Sequence, residues 1–238
     1  MKIILFGYGK MGKTIERLAQ QAGHEIALRL NSSDQPNAAQ LRAAAADVAI
    51  EFTTPEAAYD NLRLCIEAGL PVVSGTTGWL ERKAELEAFC KARHGAFFYA
   101  ANFSIGVNIF FALNRYLAGL MSRFPQYEPA LEETHHLQKK DAPSGTAIRL
   151  AEDLIEQFPA KEKWVKGVAD NPKELSVISH REGSVPGTHT LRWRSREDEV
   201  ELTHRAFSRE GFAAGALRAA EWLQGRKGCF GMSDLLGL

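Results

Sequence analysis

The 238-residue sequence holds only three cysteines, Cys65, Cys90 and Cys229, an odd number set far apart with no C-x-x-C pair. That excludes a disulfide framework and a thiolate zinc site of the usual spacing. Cys65 and Cys90 sit in apolar, helix-like settings, so buried reduced thiols are expected. Net charge is lacking as well. Lys+Arg and Asp+Glu both total 29, so no overall field draws the chain to nucleic acid or an anionic membrane, although a local positive patch can still hold a small anion. No apolar run approaches bilayer length. The opening "MKIILFGYGK" passes from a short apolar run into a glycine turn, without the long apolar core and cleavage site of a secretory leader. The expectation is a cytoplasmic protein with neither nucleic-acid nor membrane partners.

Glycines, by contrast, fall in informative places. "KIILF" reads as a buried parallel strand, and "GYGKMG" follows with Gly7, Gly9 and Gly12 in G-x-G-x-x-G spacing. Ile15, Leu18 and Ala19 then recur at helical spacing. Strand, glycine turn and helix in that order is the setting of a dinucleotide-binding turn, in which the second glycine lets the backbone approach a pyrophosphate. A nicotinamide nucleotide is the expected cofactor; a plain strand–helix turn is the alternative. The next strand, "HEIALRL", ends with Arg29, Leu30 and Asn31, and the nearest acid is Asp34. An acid at that strand tip favours NADH and an arginine favours the 2′-phosphate of NADPH, so the preference stays open. "DVAIEFTTPEA", "LPVVSGTTGW" and "GAFFYAANFS" repeat the strand-then-turn design. Such alternation implies a doubly wound parallel sheet with its ligand-binding edge at the strand ends. Gly75, Thr76 and Thr77, and Ala100, Ala101, Asn102 and Phe103, fall at that edge, where ordinary loops fit the pattern equally well.

After Asn102 the character changes. "SIGVNIFFALNRYLAGLM" reads as one long apolar helix, and "YEPALEETHH" alternates like a strand with Leu131, Glu133 and His135 on one face. A loop, "LQKKDAPSG", leads to Ser144, a good N-cap after Pro143, and to "GTAIRLAEDLIEQF" with apolar residues at helical spacing. A strand end thus delivers His135 and His136, a loop delivers Lys139, and a helix N-terminus delivers the free N–H groups of Gly145 and Thr146. This donor-rich group suits a small substrate with carboxylates, and imidazole and ammonium can both supply a proton. His-His as a metal pair is disfavoured, since adjacent strand residues point to opposite faces and no third ligand is evident. Lys140 reads as a solvated lysine. Farther on, "GTHTLRWRS" and "DEVELTHRAF" alternate with period two around a turn at "REDE", as antiparallel strands do. His204 falls on the apolar face with Leu202, as a core histidine would.

The stretch "HHLQKKDAPSGTA" resembles the signature of the 4-hydroxy-tetrahydrodipicolinate reductases. The similarity extends to "GYGKMG", "EFTTPEA", "VVSGTTGW", "AANFSIGVN", "SHREGSVPGTHTLRW", "ELTHRAFSREGFAAGALRAAEWL" and "GMSDLLGL", nearly the whole chain. The resemblance implies NADH- or NADPH-dependent reduction of a cyclic dicarboxylate on the diaminopimelate route to lysine, by a homotetramer. It implies His135 as proton donor and acceptor, Lys139 as proton donor, and His136, Gly145 and Thr146 as substrate contacts. The nucleotide would lie against Gly7, Tyr8, Gly9, Lys10, Met11 and Gly12, against Gly75–Thr77 and against Ala100–Phe103. The implied architecture is α/β. Residues 1–103 and 209–238 form a discontinuous Rossmann-type dinucleotide-binding domain. Residues 104–208 form an α+β substrate and tetramerisation domain with a mixed, largely antiparallel sheet. The sequence departs from the family in a trimmed region at 34–41, a first glycine loop one residue shorter than in many members, and Glu51 in place of the usual aspartate. A different reductase of a small dicarboxylate, of aspartate dehydrogenase type, would share the glycine loop without needing the histidine–lysine–helix group. A nucleotide-sensing protein without turnover would have no use for that group at all.

Overall fold

Short apolar runs closed by glycine or polar turns become strands, and the amphipathic segments between them become the helices that cover the resulting sheet. The computed structural model describes residues 1–238. In chain order the elements are β1 (Lys2–Phe6), α1 (Lys10–Gln21), β2 (Glu25–Leu30), α2 (Ala38–Ala43), β3 (Val48–Glu51), α3 (Pro55–Glu67), β4 (Val72–Ser74), α4 (Lys83–Ala92), β5 (Ala96–Tyr99), α5 (Ile105–Met121), β6 (Glu128–His135), α6 (Gly145–Gln157), β7 (Lys163–Lys166), β8 (Glu174–Arg181), β9 (Gly187–Arg194), β10 (Glu199–Ala206), α7 (Glu210–Leu223), β11 (Gly228–Phe230) and α8 (Met232–Leu236). They divide into two units, Met1–Ile105 with Glu210–Leu238, and Gly106–Arg209.

The first unit is a six-stranded sheet in the order β11-β5-β4-β3-β1-β2, parallel throughout. Both faces are covered, which is why β1 is apolar at every position from Ile3 to Phe6 rather than alternating. Ile3, Leu5, Ile50 and Val73 pack toward Ile15 of α1 and Ala216 and Ala220 of α7. Ile4, Phe6, Ala49 and Val72 pack on the other side with Leu62 and Cys65 of α3 and Leu86 and Cys90 of α4. Cys65 and Cys90 are buried free thiols and Cys229 is half-buried. Because every strand runs the same way, the turns after β1, β3, β4 and β5 gather at one edge.

The second unit is a five-stranded sheet, β10-β9-β6-β8-β7. β9 pairs antiparallel with both β6 and β10, whereas β6–β8 and β8–β7 are parallel. The sheet is therefore mixed, with two antiparallel and two parallel strand pairings. The strand–helix–strand path through α6 returns parallel, as crossovers do. One face packs against α5 and α6 through Phe110, Phe111, Leu150, Leu154 and Phe158, with Leu131, Leu191 and Trp193 beneath them. The opposite face is ionic, with Arg192 paired to Glu132 and Glu201. β10 is an edge strand, so Val200, Leu202 and His204 are half-buried rather than core. His204 lies 6.2 Å from the Phe110 ring, centroid to centroid.

Candidate active site

In the first unit the glycine turn is held by the backbone. Gly7 has φ +88°, and a Cβ there would lie 1.9 Å from the Phe52 carbonyl oxygen. A Cβ on buried Gly12 would lie 2.2 Å from the Gly7 carbonyl. Gly9, the N-cap of α1, is different: a Cβ would meet nothing within 4 Å. The open space above Gly9 and the free N–H groups of Lys10, Met11 and Gly12 at the helix start are what a pyrophosphate needs. Two clefts meet at this turn. One, ≈ 420 Å³, is lined by Gly7, Tyr8 and Gly9 with Asn31, Asp34 and Thr53. The other, ≈ 370 Å³, brings Lys10, Met11 and Gly12 to Thr53 and to Gly75, Thr76 and Thr77. Ala100–Phe103 lies at the end of β5. The Phe103 ring packs 5.8 Å from that of Phe52, which lines both clefts, but Ala100, Ala101, Asn102 and Phe103 do not line them themselves.

The fully buried Glu51 carboxylate organises this edge. It accepts from Thr53 N (2.9 Å), Ser74 Oγ (2.6 Å), Thr76 Oγ1 (2.7 Å) and the Thr53 hydroxyl. A buried charge is tolerable only with such a donor set, and here it ties the loops after β3 and β4 together. At the adenosine end, Arg29 does not stand free. Its guanidinium bonds Glu16, which also accepts from the Tyr8 hydroxyl. Arg29, then Tyr8, hold the Glu16 carboxyl below its ordinary range. Asp34 accepts from Asn31 N at 2.7 Å through one oxygen.

In the second unit, β6 alternates so that Leu131, Glu133 and His135 are buried on one face. Register places Ser179 of β8 and His189 of β9 on either side of Glu133. Glu133 Oε1 accepts from Ser144 N (3.0 Å) and Ser179 Oγ (2.8 Å), with Arg181 at 3.4 Å. Its Oε2 faces His135 Nδ1 at 3.3 Å and His189 Nε2 at 3.8 Å. Burial alone would raise the Glu133 carboxyl, but the donors from His135, Ser144 and Ser179 outweigh it and hold the group well below the carboxylate range. Ser144 caps α6 by accepting from Ala147 N (3.2 Å), and α6 begins at Gly145, which is exposed, and Thr146, which is half-buried. Lys139 is half-buried, with Nζ on both oxygens of Asp141 (2.8 and 2.7 Å), while Lys140 is exposed. His136, on the other side of the strand end, meets Arg209 at 3.1 Å through Nε2.

The sequence reading thus names His135, His136, Lys139, Gly145 and Thr146, and the structure joins His135 to partners that reading missed. Arg181 donates to the backbone carbonyls of Lys139 (3.2 Å) and Asp141 (2.5 Å), anchoring the loop that carries the lysine. His189 stands 5.1 Å from His135, ring to ring, nearly perpendicular. The pairing of Glu133 with His189 is the one signal that would have found it, since both are polar residues at inward positions of alternating strands. Glu133, His135 and His189 offer donor atoms within 4.8 Å of one another, a metal-like spacing that does not include His136. The Arg181 cation already sits on that carboxylate.

Burial, then the neighbouring charge of His135, pushes His189 down to about 4. The unfolded imidazole takes up a proton near 6.5, the folded one only near 4. Stability conferred by neutral His189 is therefore complete above the unfolded value and is lost as pH falls toward 4, by about 3 kcal/mol at most. Urea unfolding at pH 7 and pH 4.5 should show the loss, and His189→Gln should flatten it. The depressed Glu133 carboxyl acts in the same direction at lower pH.

Comparison with known proteins places this geometry. Residues 1–103 match the family model "Dihydrodipicolinate reductase, N-terminus", and residues 106–236 match "Dihydrodipicolinate reductase, C-terminus". The chain is 47% identical to the 4-hydroxy-tetrahydrodipicolinate reductase of Christiangramia forsetii over 99% of this chain and 98% of that protein. It is 34% identical to that of Methanoregula boonei, covering 100% and 98%. A dipicolinate-bound dihydrodipicolinate reductase from Paenisporosarcina sp. TG-14 superposes with a TM-score of 0.79 at 22% identity, over 98% of both chains, which speaks to the fold. With a parallel sheet edged by a glycine turn, a mixed second sheet and identity running end to end, the chain belongs to the dihydrodipicolinate reductase family.

Proposed function

We propose that the chain reduces 4-hydroxy-tetrahydrodipicolinate to tetrahydrodipicolinate on the diaminopimelate route to lysine, with loss of the 4-hydroxyl as water. The bound nicotinamide nucleotide supplies the hydride. The turn Gly7–Gly12 and the loop Gly75–Thr77 hold that nucleotide, with Ala100–Phe103 backing them through Phe52. The N–H groups of Gly145 and Thr146 and the Lys139 ammonium bind a ring carboxylate, and His136 contributes a further donor. His135 or Lys139 delivers the proton that balances the hydride. The observation that carries the reading is the convergence of Lys139, the α6 N-terminus and the Glu133–His135 pair at the end of one strand. The dipicolinate in the Paenisporosarcina structure, an aromatic ring dicarboxylate, is a ligand of the class such donors suit.

Both nucleotides should serve. Arg29 shares its charge with Glu16 instead of offering a free cation to a 2′-phosphate, and Asp34 keeps one oxygen for a ribose hydroxyl. The working form is a cytoplasmic homotetramer built on the second unit. No helix is long and apolar enough to cross a membrane. The test is an assay at 340 nm in which dihydrodipicolinate synthase generates the unstable substrate in place. Synthase-dependent oxidation of NADPH and of NADH, at rates within about tenfold of one another, is expected. Oxidation of neither by folded protein overturns the reading.

A further inference from the structure

Resting on the reductase reading, we infer that Glu133 is a positioning residue, whose Oε2 holds the His135 imidazole with a proton on Nδ1 and so makes Nε2 the atom that exchanges a proton with the substrate. The two oxygens of Glu133 have different work. Oε1 takes the donors Ser144 N and Ser179 Oγ and faces Arg181. Oε2 faces imidazoles alone, His135 Nδ1 at 3.3 Å and His189 Nε2 at 3.8 Å. The nearer contact of His189 Nε2 is the Ser144 hydroxyl at 3.2 Å. A carboxylate only accepts, so the ring nitrogen 3.3 Å from it, in an ion-pair contact outside hydrogen-bond geometry, is the one whose protonated form the charge favours, and that contact selects the tautomer of the whole ring. A lone pair on Nδ1 would instead be set against a negative oxygen that is 1% exposed at the residue level.

The neighbours keep the ring in this pose. His189 crosses it nearly perpendicular on one side. At Gly187, a Cβ would lie 3.0 Å from His135 Nε2, so the absence of a side chain there keeps that nitrogen clear. The charged and titratable groups facing this part of the sheet include Glu133 on the same strand, Arg181 on β8, His189 on β9, His204 beside His189 on β10, and Lys139 with Asp141 in the loop. When His135 is protonated on both nitrogens, Nε2–H leaves to the substrate, the N–H bond breaks at the ring, and the neutral ring that remains is the tautomer Glu133 already favours.

Glu133→Gln is the diagnostic change. The donors at Oε1 claim the carboxamide oxygen, so the amide NH₂ must turn toward His135 Nδ1. That nitrogen then has to accept, and the neutral ring moves its proton to Nε2. In ¹⁵N-histidine NMR, with the His135 signals assigned by loss in His135→Gln, the wild-type protein should show the Nδ1–H tautomer and Glu133→Gln the Nε2–H tautomer. In the coupled assay the variant should lose roughly 10²–10⁴-fold in kcat with KM changed by only a few-fold, and Glu133→Asp, which keeps the charge, should regain part of the rate. A wild-type His135 found as the Nε2–H tautomer overturns the inference without any variant. So does an unchanged kcat in a folded Glu133→Gln protein. If wild-type protein shows the Nδ1–H tautomer but no reductase activity, the reductase reading fails while the orientation of His135 stands.

Discussion

Lys139→Ala should lower kcat by roughly 10²–10⁴-fold, the span a positioned acid commands, while Lys140→Ala should stay within about twofold of the parent. The two lysines are chain neighbours of equal charge, so a general electrostatic effect would treat them alike. Their settings differ. Lys139 is half-buried, its ammonium is held by Asp141, and its backbone carbonyl is held by Arg181. Lys140 faces solvent. Asp141 holds the ammonium in place, and that ion pair in turn holds the Asp141 carboxyl below its ordinary range. The coupled assay with each variant reads the difference directly. Equal losses would defeat the assignment of Lys139 as the working lysine.

Gly7→Ala and Gly9→Ala should separate fold from binding. At Gly7 the added methyl meets both a left-handed backbone, φ +88°, and the Phe52 carbonyl at 1.9 Å. The combined cost is roughly 2–4 kcal/mol, a fall in Tm of roughly 5–15 °C for a chain of this size, and nucleotide affinity goes with the displaced turn. At Gly9 the methyl meets nothing within 4 Å, so thermal stability should hold. The methyl then occupies the space where a pyrophosphate would approach, and the dissociation constant for NADPH should rise by roughly tenfold or more. Differential scanning fluorimetry with and without nucleotide resolves the pair. A Gly9→Ala protein that binds NADPH normally would place the pyrophosphate elsewhere.

Much of this was legible in the sequence because the signals are local. The run from Lys2 to Gly12 carries strand, turn and helix start within eleven residues, and Ser144 caps the helix its neighbours announce. The doubly wound parallel sheet follows from the same short-range alternation, and the histidine–lysine segment stood out through its resemblance to the family signature. What escaped was everything that register assembles. Ser179 and His189 reach Glu133 from 46 and 56 residues away, and no window of sequence shows that they share a row. Arg181 lies in a segment that resembles the family, yet nothing local marks it as the clamp on the lysine loop. Glu51 read as a mild exchange for aspartate, and its place at the centre of two loops depends on β3 lying beside β4. The balance of parallel and antiparallel pairs also lay beyond reach, since it depends on which strand β6 chooses as its second neighbour.

The path of the chain has a consequence for how the protein is made. β11 is an edge strand of the first sheet, and α7 supplies Ala213, Ala216, Ala219, Ala220 and Leu223 to one of its two cores. These pieces follow every strand of the second unit in the chain. Until residues 210–238 have left the ribosome, Ile3, Leu5, Val73 and Phe98 lack their cover on that side, and the nascent sheet carries an unpaired edge at β5. Residues 106–209, by contrast, contain every strand of the second sheet. The segment in the middle of the chain can therefore fold before the segment that precedes it, because the nucleotide-binding half closes only once residues 210–238 have been made.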